Sequence, residues 1–152
     1  VIVTDNGAAV VRYEDRDEWL SDERLHYYDN HNFFAAPASG SAGFDAMAII
    51  PCTMGTLGRI AAGVSTDLVV RAADVMLKER RRLILVPREA PYSTIHLRNM
   101  LTLSECGAVI CPASPSFYSR PDSIEAACRT VTDRVIGLLG LDAGGFEWGS
   151  EG

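Results

Sequence analysis

The residues best suited to chemistry are an arginine and a glutamate, Arg88 and Glu89, which follow the apolar run Leu83–Val86. A short apolar run of this kind predicts a buried strand. Open α/β sheets bind ligands beyond the carboxyl ends of their strands, so we expect the pair to line a site. Arg71 and Lys78 lie seven residues apart on the preceding predicted helix, and therefore on one face. We expect these two cations and Arg88 to surround one point, which would suit a phosphate-bearing substrate with a carboxylate nearby for proton transfer.

The two helical cations also have an ordinary structural explanation. Asp67 stands four residues before Arg71, and Asp74 stands four residues before Lys78. Both spacings predict i,i+4 ion pairs on a solvated helix face. The Arg-Glu pair is the stronger signal, because loops at the carboxyl edge of a sheet commonly carry function.

Several further polar residues flank the predicted strands, and each of them has two explanations. Ser39–Gly43 is either an anion-binding loop with free amides or a plain flexible loop. Thr53 and Thr56 follow the predicted strand Ala46–Ile50, where they could bind a ligand at a helix N-terminus or only cap that helix. Tyr118, in the loop after the last strand, could bind a phosphate or cover the core.

Composition narrows the class of protein. The 152 residues allow one domain with a substantial core, and a net charge of −6 argues against general nucleic-acid binding. No apolar run approaches the length of a membrane span, and no signal peptide is visible. The four cysteines form no Cys-x-x-Cys pair and predict buried, reduced thiols in a cytoplasmic protein. The three histidines lack metal-ligand spacing, so we expect no metal.

Strands and helices are predicted to alternate, which indicates an α/β fold with a parallel sheet covered on both faces. The predicted strands are Val1–Thr4, Ala46–Ile50, Leu83–Val86 and Ala108–Cys111. The predicted helices are Asn6–Tyr13, Gly55–Ala62, a helix capped by Ser65 or Thr66 and ending near Lys78, Thr94–Glu105 and Pro121–Leu139. We expect one domain over residues 1–140, followed by a Gly-rich tail, 141–152, that packs on the site or on a neighbouring subunit.

A set of motifs carries a family resemblance. They are Ala38-Ser-Gly-Ser41, Pro51-Cys-Thr, Arg71-Ala-Ala-Asp-Val-Met-Leu-Lys78-Glu-Arg80, Leu85-Val-Pro-Arg-Glu-Ala-Pro91 and Phe117-Tyr. In this order and spacing the chain resembles the UbiX flavin prenyltransferases along nearly its whole length. The resemblance implies a Rossmann-like three-layer sandwich with a parallel sheet.

The resemblance also implies a reaction. A dimethylallyl group would move from dimethylallyl monophosphate to N5 of reduced FMN, and ring closure at C6 would give the prenylated FMN used by UbiD-type decarboxylases. No metal is required. The family assembles as a homododecamer built from trimers with active sites between subunits, so Lys78 or the tail residue Trp148 is expected to act across such an interface.

Site residues follow from matching positions in the family. The phosphate-binding positions are Arg71, Lys78, Arg88, Tyr118 and Arg134. The catalytic positions are Glu89 and Glu14, with Arg88 and Tyr118. The flavin-contacting positions are Thr4, Ser39, Thr53, Thr56 and Arg88. The pocket for the allyl group is formed by Phe33, where the family has tryptophan, together with Ala38 and Trp148. Arg134 lies beside apolar residues of the last helix, where a cation is expected to have a partner.

One departure from the family leaves alternatives open. The family's first strand and its Gly-Ala-Ser-Gly loop have no counterpart, so we expect the first βα unit to be missing, and the chain to be a piece of a longer protein or a degenerate relative. A non-catalytic flavin-binding or assembly subunit is therefore the alternative. A flavin-dependent Cys-type decarboxylase would need an Asn- and Met-rich loop where this chain has Pro87-Arg-Glu-Ala-Pro91.

Overall fold

The computed structural model describes residues 1–14, 16 and 22–144. Three strands form a parallel sheet in the order β1-β2-β3. The strands are β1 (Ala46–Cys52), β2 (Arg82–Pro87) and β3 (Val109–Ile110). The helices are α1 (Asp5–Tyr13), α2 (Met54–Ala61), α3 (Leu68–Lys78), α4 (Thr94–Glu105) and α5 (Ile124–Leu139). Two short 3-10 turns, Ala36–Ala38 and Gly40–Ala42, precede β1.

The protein has three layers, because helices pack on both faces of the sheet against side chains of the central strand β2. Its side chains alternate between the two faces of the sheet, as strand geometry requires. Leu83 and Leu85 pack into a core formed with α2, α3 and α4, while Ile84 and Val86 pack against α5. All four side chains are buried, and each contributes about 1.5–3 kcal/mol relative to an exposed position. The predicted α/β fold with a parallel sheet covered on both faces is confirmed.

Strand β1 differs from its prediction in length and in burial. It continues through Pro51 to Cys52, whereas Pro51 was expected to end it. Proline is tolerated because β1 is an edge strand of this sheet, where one side of the backbone needs no ladder partner. For the same reason β1 is only partly buried, and Ile50 is 49% exposed.

The first residues do not form the predicted strand. Val1–Thr4 contributes a single parallel bridge between Ile2 and Tyr28, supported by the bond from the Tyr28 amide to the Val1 carbonyl at 2.8 Å. Thr4 then caps α1, because its hydroxyl accepts the Gly7 amide at 3.0 Å. The N-terminal segment therefore pairs with the chain at His26 and Tyr28.

Asn30 attaches this N-terminal region to α3. It is 5% exposed, its carbonyl accepts the Leu68 amide at 2.8 Å, and its side-chain oxygen accepts the Val69 amide at 3.1 Å. Asp67 accepts the next two amides of the helix, those of Val70 and Arg71. The first three amides of α3, those of Leu68, Val69 and Val70, thus all have acceptors outside the helix ladder, and this end of α3 is closed to an anion.

We predict that Asn30→Ala lowers the free energy of unfolding by about 1–3 kcal/mol, because the buried Val69 amide loses its acceptor. Urea denaturation measures the change. Asn32→Ala is the control, since its side chain accepts only the exposed Phe34 amide and should change stability by less than about 0.5 kcal/mol. Equal losses in the two variants would contradict the role given to Asn30.

Two predicted helix starts are wrong. The N-cap of α3 is Asp67, because its carboxylate reaches the Val70 amide, and neither Ser65 nor Thr66 does so. Helix α5 begins at Ile124 with Ser123 as its cap, so Pro121 lies outside its first turn. A carboxylate is as good a cap as a hydroxyl, and Ser-Thr-Asp offered three capping residues in a row.

The two predicted i,i+4 ion pairs are also wrong. Asp67 pairs with Arg59 of α2 at 2.5 Å, and this contact fastens α2 to the start of α3. Arg71 pairs with Asp74 at 2.9 Å, and the Lys78 ammonium pairs with the neighbouring Glu79 carboxylate. No helix among the described residues is both long and apolar enough to cross a membrane.

Candidate functional site

The carboxyl ends of β2 and β3 enclose a pocket of about 320 Å³. The Cys111 amide bonds to the Leu85 carbonyl at 2.8 Å, and the Ala113 amide bonds to the Pro87 carbonyl at 2.9 Å. These bonds extend the pairing beyond β3 and place the next loop beside Arg88. The lining residues are Pro87, Arg88, Glu89, Ala90, Tyr92, Pro112, Ala113 and Ser114. The pocket therefore combines apolar walls with one cation and one carboxylate.

Arg88 and Glu89 stand at this pocket as predicted. The backbone before them is rigid because Leu83–Pro87 is buried throughout. No hydrogen bond or ion pair joins the Arg88 guanidinium to another residue of the described chain, so its donors are available to a ligand. Glu89 is held more closely, since its Oε1 accepts the Ala90 amide at 3.1 Å.

Thr53 and Thr56 lie at the carboxyl end of β1, also as predicted. The Thr53 hydroxyl accepts the Thr56 amide at 3.2 Å and donates to the buried Thr56 hydroxyl at 3.0 Å. Both hydroxyls therefore cap α2, whatever else they bind. The amides of Met54 and Gly55 have no acceptor among the described residues, so this helix N-terminus remains open to an anion. We call Thr53, Thr56, Arg88 and Glu89 the carboxyl-edge cluster.

A second group lies along α3. The Arg71 Nε donates to the Ala38 carbonyl at 3.1 Å, which fixes the guanidinium next to Ser39. Lys78, at the other end of α3, is bound to Glu79, and a methyl group on Gly40 would overlap the Glu79 carboxylate. We call Ala38, Ser39, Arg71 and Lys78 the loop–helix cluster.

Within one chain, Lys78 does not lie beside Arg88 as expected, while the expected proximity of Arg71 to Arg88 stays a prediction. Lys78 ends α3 and precedes β2, whereas Arg88 follows β2. The six residues of that strand span about 20 Å, which is farther than the two side chains can reach together. The spacing of Arg71 and Lys78 predicts that they share one face of α3. It does not predict which end of the sheet each of them lies near.

Tyr118 and Arg134 belong to a third region. The loop after β3 is fastened to α5, since the Ser116 amide donates to the Thr130 hydroxyl at 2.9 Å. Arg134 lies one turn beyond Thr130 on the same helix, and Tyr118 is 80% exposed. The partner expected for Arg134 does not exist among the described residues, because its side chain extends into solvent and leaves Val131 and Val135 to fill the core.

The remaining predicted site residues are scattered. Thr4 and Glu14 cap opposite ends of α1, about 15 Å apart at 1.5 Å for each of ten residue steps. Phe33, expected in the allyl pocket, is 45% exposed, and its neighbour Phe34 is fully exposed. Trp148 lies outside the described residues, so the predicted role of the tail stays a prediction.

Sequence reasoning missed a second pocket, of about 610 Å³, at the amino edge of the sheet. Arg80, Arg81 and Arg82 line it together with Gly107 and Leu139, and Arg82 lies against Gly140. The carboxyl ends of α3, α4 and α5 meet at this edge. Cations are favourable beside helix C-termini, so this positive charge has a structural explanation. The run of arginines gave no signal of which helix each would contact.

The cysteines are free, as predicted, but only in part buried. Burial raises the pKa of the Cys52 thiol to about 12, while Cys106 and Cys128 are exposed. The described residues contain no group of three His, Cys, Asp or Glu side chains suited to a metal ion.

We predict that iodoacetamide at pH 8 modifies Cys106 and Cys128 and leaves Cys52 unmodified, since the thiolate is the reactive form and the Cys52 thiol stays protonated. Peptide mass spectrometry identifies the modified residues. Denaturation before labelling is the control and should expose Cys52. Rapid labelling of Cys52 in the folded protein would contradict its burial.

Comparison with known proteins points to one family. The model of the Flavoprotein family matches residues 1–139. The flavin prenyltransferase UbiX of Methanocaldococcus jannaschii is 42% identical over 99% of this chain and 83% of its own length. The flavin prenyltransferase UbiX of Pseudomonas aeruginosa is 51% identical over 78% of this chain, and the match covers 56% of that relative.

Solved structures agree with these matches. The crystal structure of a UbiX protein in complex with FMN and dimethylallyl pyrophosphate superposes with a TM-score of 0.88 at 42% identity, covering 96% of this chain and 79% of that one. A dodecameric FMN-dependent UbiX-like decarboxylase from Escherichia coli O157:H7 gives 0.86 at 38% identity, covering 96% and 81%. An FMN-dependent cysteine decarboxylase of thioviridamide biosynthesis, 18% identical with a TM-score of 0.55, shares the fold.

Proposed function

We propose that this chain, which belongs to the Flavoprotein family and within it to the UbiX flavin prenyltransferases, transfers a dimethylallyl group from dimethylallyl monophosphate to reduced FMN. The observation that carries the proposal is Arg88, a cation with free donors held at the rim of an apolar pocket beside Glu89. The bond to N5, the closure at C6 and the release of phosphate are those that the family resemblance implies.

Two features of the carboxyl edge fit reduced FMN as a substrate. The pocket has apolar walls, formed by Pro87, Ala90, Pro112 and Ala113, against which a flat ring system can pack. The unbonded amides of Met54 and Gly55, with the Thr53 hydroxyl beside them, can donate to flavin oxygens or to its phosphate. FMN supplies the nucleophilic nitrogen and carbon when it is bound.

The cations would stabilise the phosphate that leaves when the allyl group is transferred. Breaking the allylic carbon–oxygen bond leaves negative charge on the phosphate, which fixed guanidinium and ammonium groups stabilise. Arg88 offers its donors from the carboxyl edge, and Arg71 and Lys78 offer theirs from α3. Glu89, fixed by the Ala90 amide, is placed to carry the proton lost at the flavin.

The separation of the two clusters supports an oligomeric site. Lys78 and Arg88 lie at opposite ends of β2, so we propose that the loop–helix cluster of one copy meets the carboxyl-edge cluster of another. The related E. coli protein is dodecameric, which makes such contacts available, and we propose the same assembly here. We further propose a cytoplasmic location, supported by four unbridged cysteines, and delivery of the product to a UbiD-type decarboxylase.

The proposal is tested by anaerobic incubation with dithionite-reduced FMN and dimethylallyl monophosphate, followed by mass spectrometry of the extracted flavin. We expect a flavin heavier by one prenyl unit. Omission of either substrate is the control. Unchanged FMN that remains tightly bound would contradict the activity and favour a flavin-binding subunit.

A further inference from the structure

Two arginines bind the loop Ala38–Ser41 from outside. The Arg71 Nε donates to the Ala38 carbonyl at 3.1 Å, and the Arg81 Nη2 donates to the Gly40 carbonyl at 2.8 Å. Arg71 already has a place in the proposed phosphate site, but Arg81 has none. Arg81 lies immediately before β2, so its bond ties the loop to the central strand of the sheet.

The loop has little structure of its own. Ala38 ends the first 3-10 turn, and Gly40 and Ser41 begin the second, so most of the loop lies in short turns whose hydrogen-bond geometry is poor. Its side-chain bond joins the Ser39 and Ser41 hydroxyls, 2.9 Å apart, within the loop. The backbone bonds of these turns do not use the Ala38 and Gly40 carbonyls, so the two arginines fix how those two carbonyls are turned.

The bond from Arg81 sets the direction of one amide. In a planar trans peptide the carbonyl and the following N–H point in opposite directions. Since the Gly40 carbonyl points toward Arg81, the Ser41 N–H points away from it. That amide has no acceptor among the described residues, and both serines are exposed. The loop thus presents an amide and one of the two serine hydroxyls as donors near Arg71.

One donor of Arg81 adds no hydrogen bond to the described part of the fold. Its Nη1 is buried and has no acceptor among the described residues, and a buried donor without a partner costs free energy. An unbranched apolar side chain would fill the same space without that cost. The neighbouring arginines do not share its contact, since Arg80 is exposed at a left-handed turn and Arg82 lies against Gly140.

We propose that Arg81 is a positioning residue for the allylic substrate, because it turns the Ala38–Ser41 loop so that its donors meet the phosphoryl oxygens held by Arg71 and Lys78. The inference rests on the proposed function. Arg81 itself does not contact the substrate in this proposal, because its hydrogen bond reaches the Gly40 carbonyl and it does not line the pocket at the carboxyl edge.

The test compares Arg81→Met with Arg81→Lys and with the matched control Arg80→Met. For Arg81→Met we expect KM for dimethylallyl monophosphate to rise about tenfold, the loss of one hydrogen bond to a charged group, with kcat within about threefold. Arg81→Lys, which keeps a donor, should recover part of the loss. Arg80→Met should match the original protein. FMN affinity and the melting temperature should change far less than KM in all three.

Two results would overturn the inference. Arg81→Met behaving like Arg80→Met would show that the bond to Gly40 does not matter. A loss of FMN affinity or of melting temperature as large as the change in KM would show a merely structural role. Calorimetric titration of dimethylallyl monophosphate without flavin turnover separates the two proposals, because it reports substrate binding even where no prenylated flavin forms.

Discussion

Replacing Arg88 with alanine is expected to lower kcat/KM for prenyl transfer by about 100- to 1000-fold, as removal of one fixed donor to a developing negative charge does elsewhere. The side chain is exposed and has no partner in the described chain, so its loss should leave the fold intact. The backbone that carries it follows the buried strand β2 and is held in place without it. The whole effect should therefore appear in catalysis.

Two further variants test whether the effect is specific to the Arg88 guanidinium: Arg88→Lys, and Arg98→Ala as the control. Lysine keeps the charge but cannot form two parallel hydrogen bonds to a phosphate, so an intermediate activity is expected. Arg98 is an exposed arginine of α4 outside both clusters, and its replacement should have no effect. If the Arg88→Ala variant keeps more than about a tenth of the activity, Arg88 does not bind the leaving phosphate.

Replacing Glu89 with glutamine is expected to lower kcat by about 100-fold or more, the usual contribution of a positioned proton carrier. Glutamine keeps the oxygen that accepts the Ala90 amide at 3.1 Å, so the side chain should stay in place. FMN and substrate binding should then be nearly unchanged, and the loss should appear in single-turnover rates.

The control for Glu89 is Glu105→Gln, at the exposed end of α4. It removes the same charge from the protein without touching the pocket. A Glu89→Gln variant with full kcat, or one that fails to bind FMN, would show that Glu89 does not carry the proton.

The parts of the fold that depend on local pattern could be predicted from the sequence. The apolar run at β2 gave its burial on both faces, and α4 has its predicted bounds, Thr94–Glu105, with Gly107 beyond its end. Parallel alternation then placed Arg88 and Thr53 at the same edge of the sheet. These inferences succeed because strand burial, capping and edge position are fixed by neighbours in sequence.

The parts of the fold that depend on contacts between residues distant in sequence could not be predicted. The shared helix face of Arg71 and Lys78 predicts that both lie near Arg88, yet Lys78 and Arg88 lie at opposite ends of β2. Asn30 caps a helix that begins almost forty residues later, and no local pattern marks it. The bond from Arg81 to Gly40 spans a similar distance, and three adjacent arginines gave no way to choose among them.

The central claim is that one active site takes Lys78 and Arg88 from different copies of the chain. The most direct test co-expresses Lys78→Ala with Arg88→Ala, each inactive by itself, and measures prenyl transfer by the purified mixed oligomer. If the residues come from different copies, random mixing restores about a quarter of the sites and hence of the activity. If they act within one copy, every site carries one defect, and activity no higher than that of the separate variants would contradict the claim.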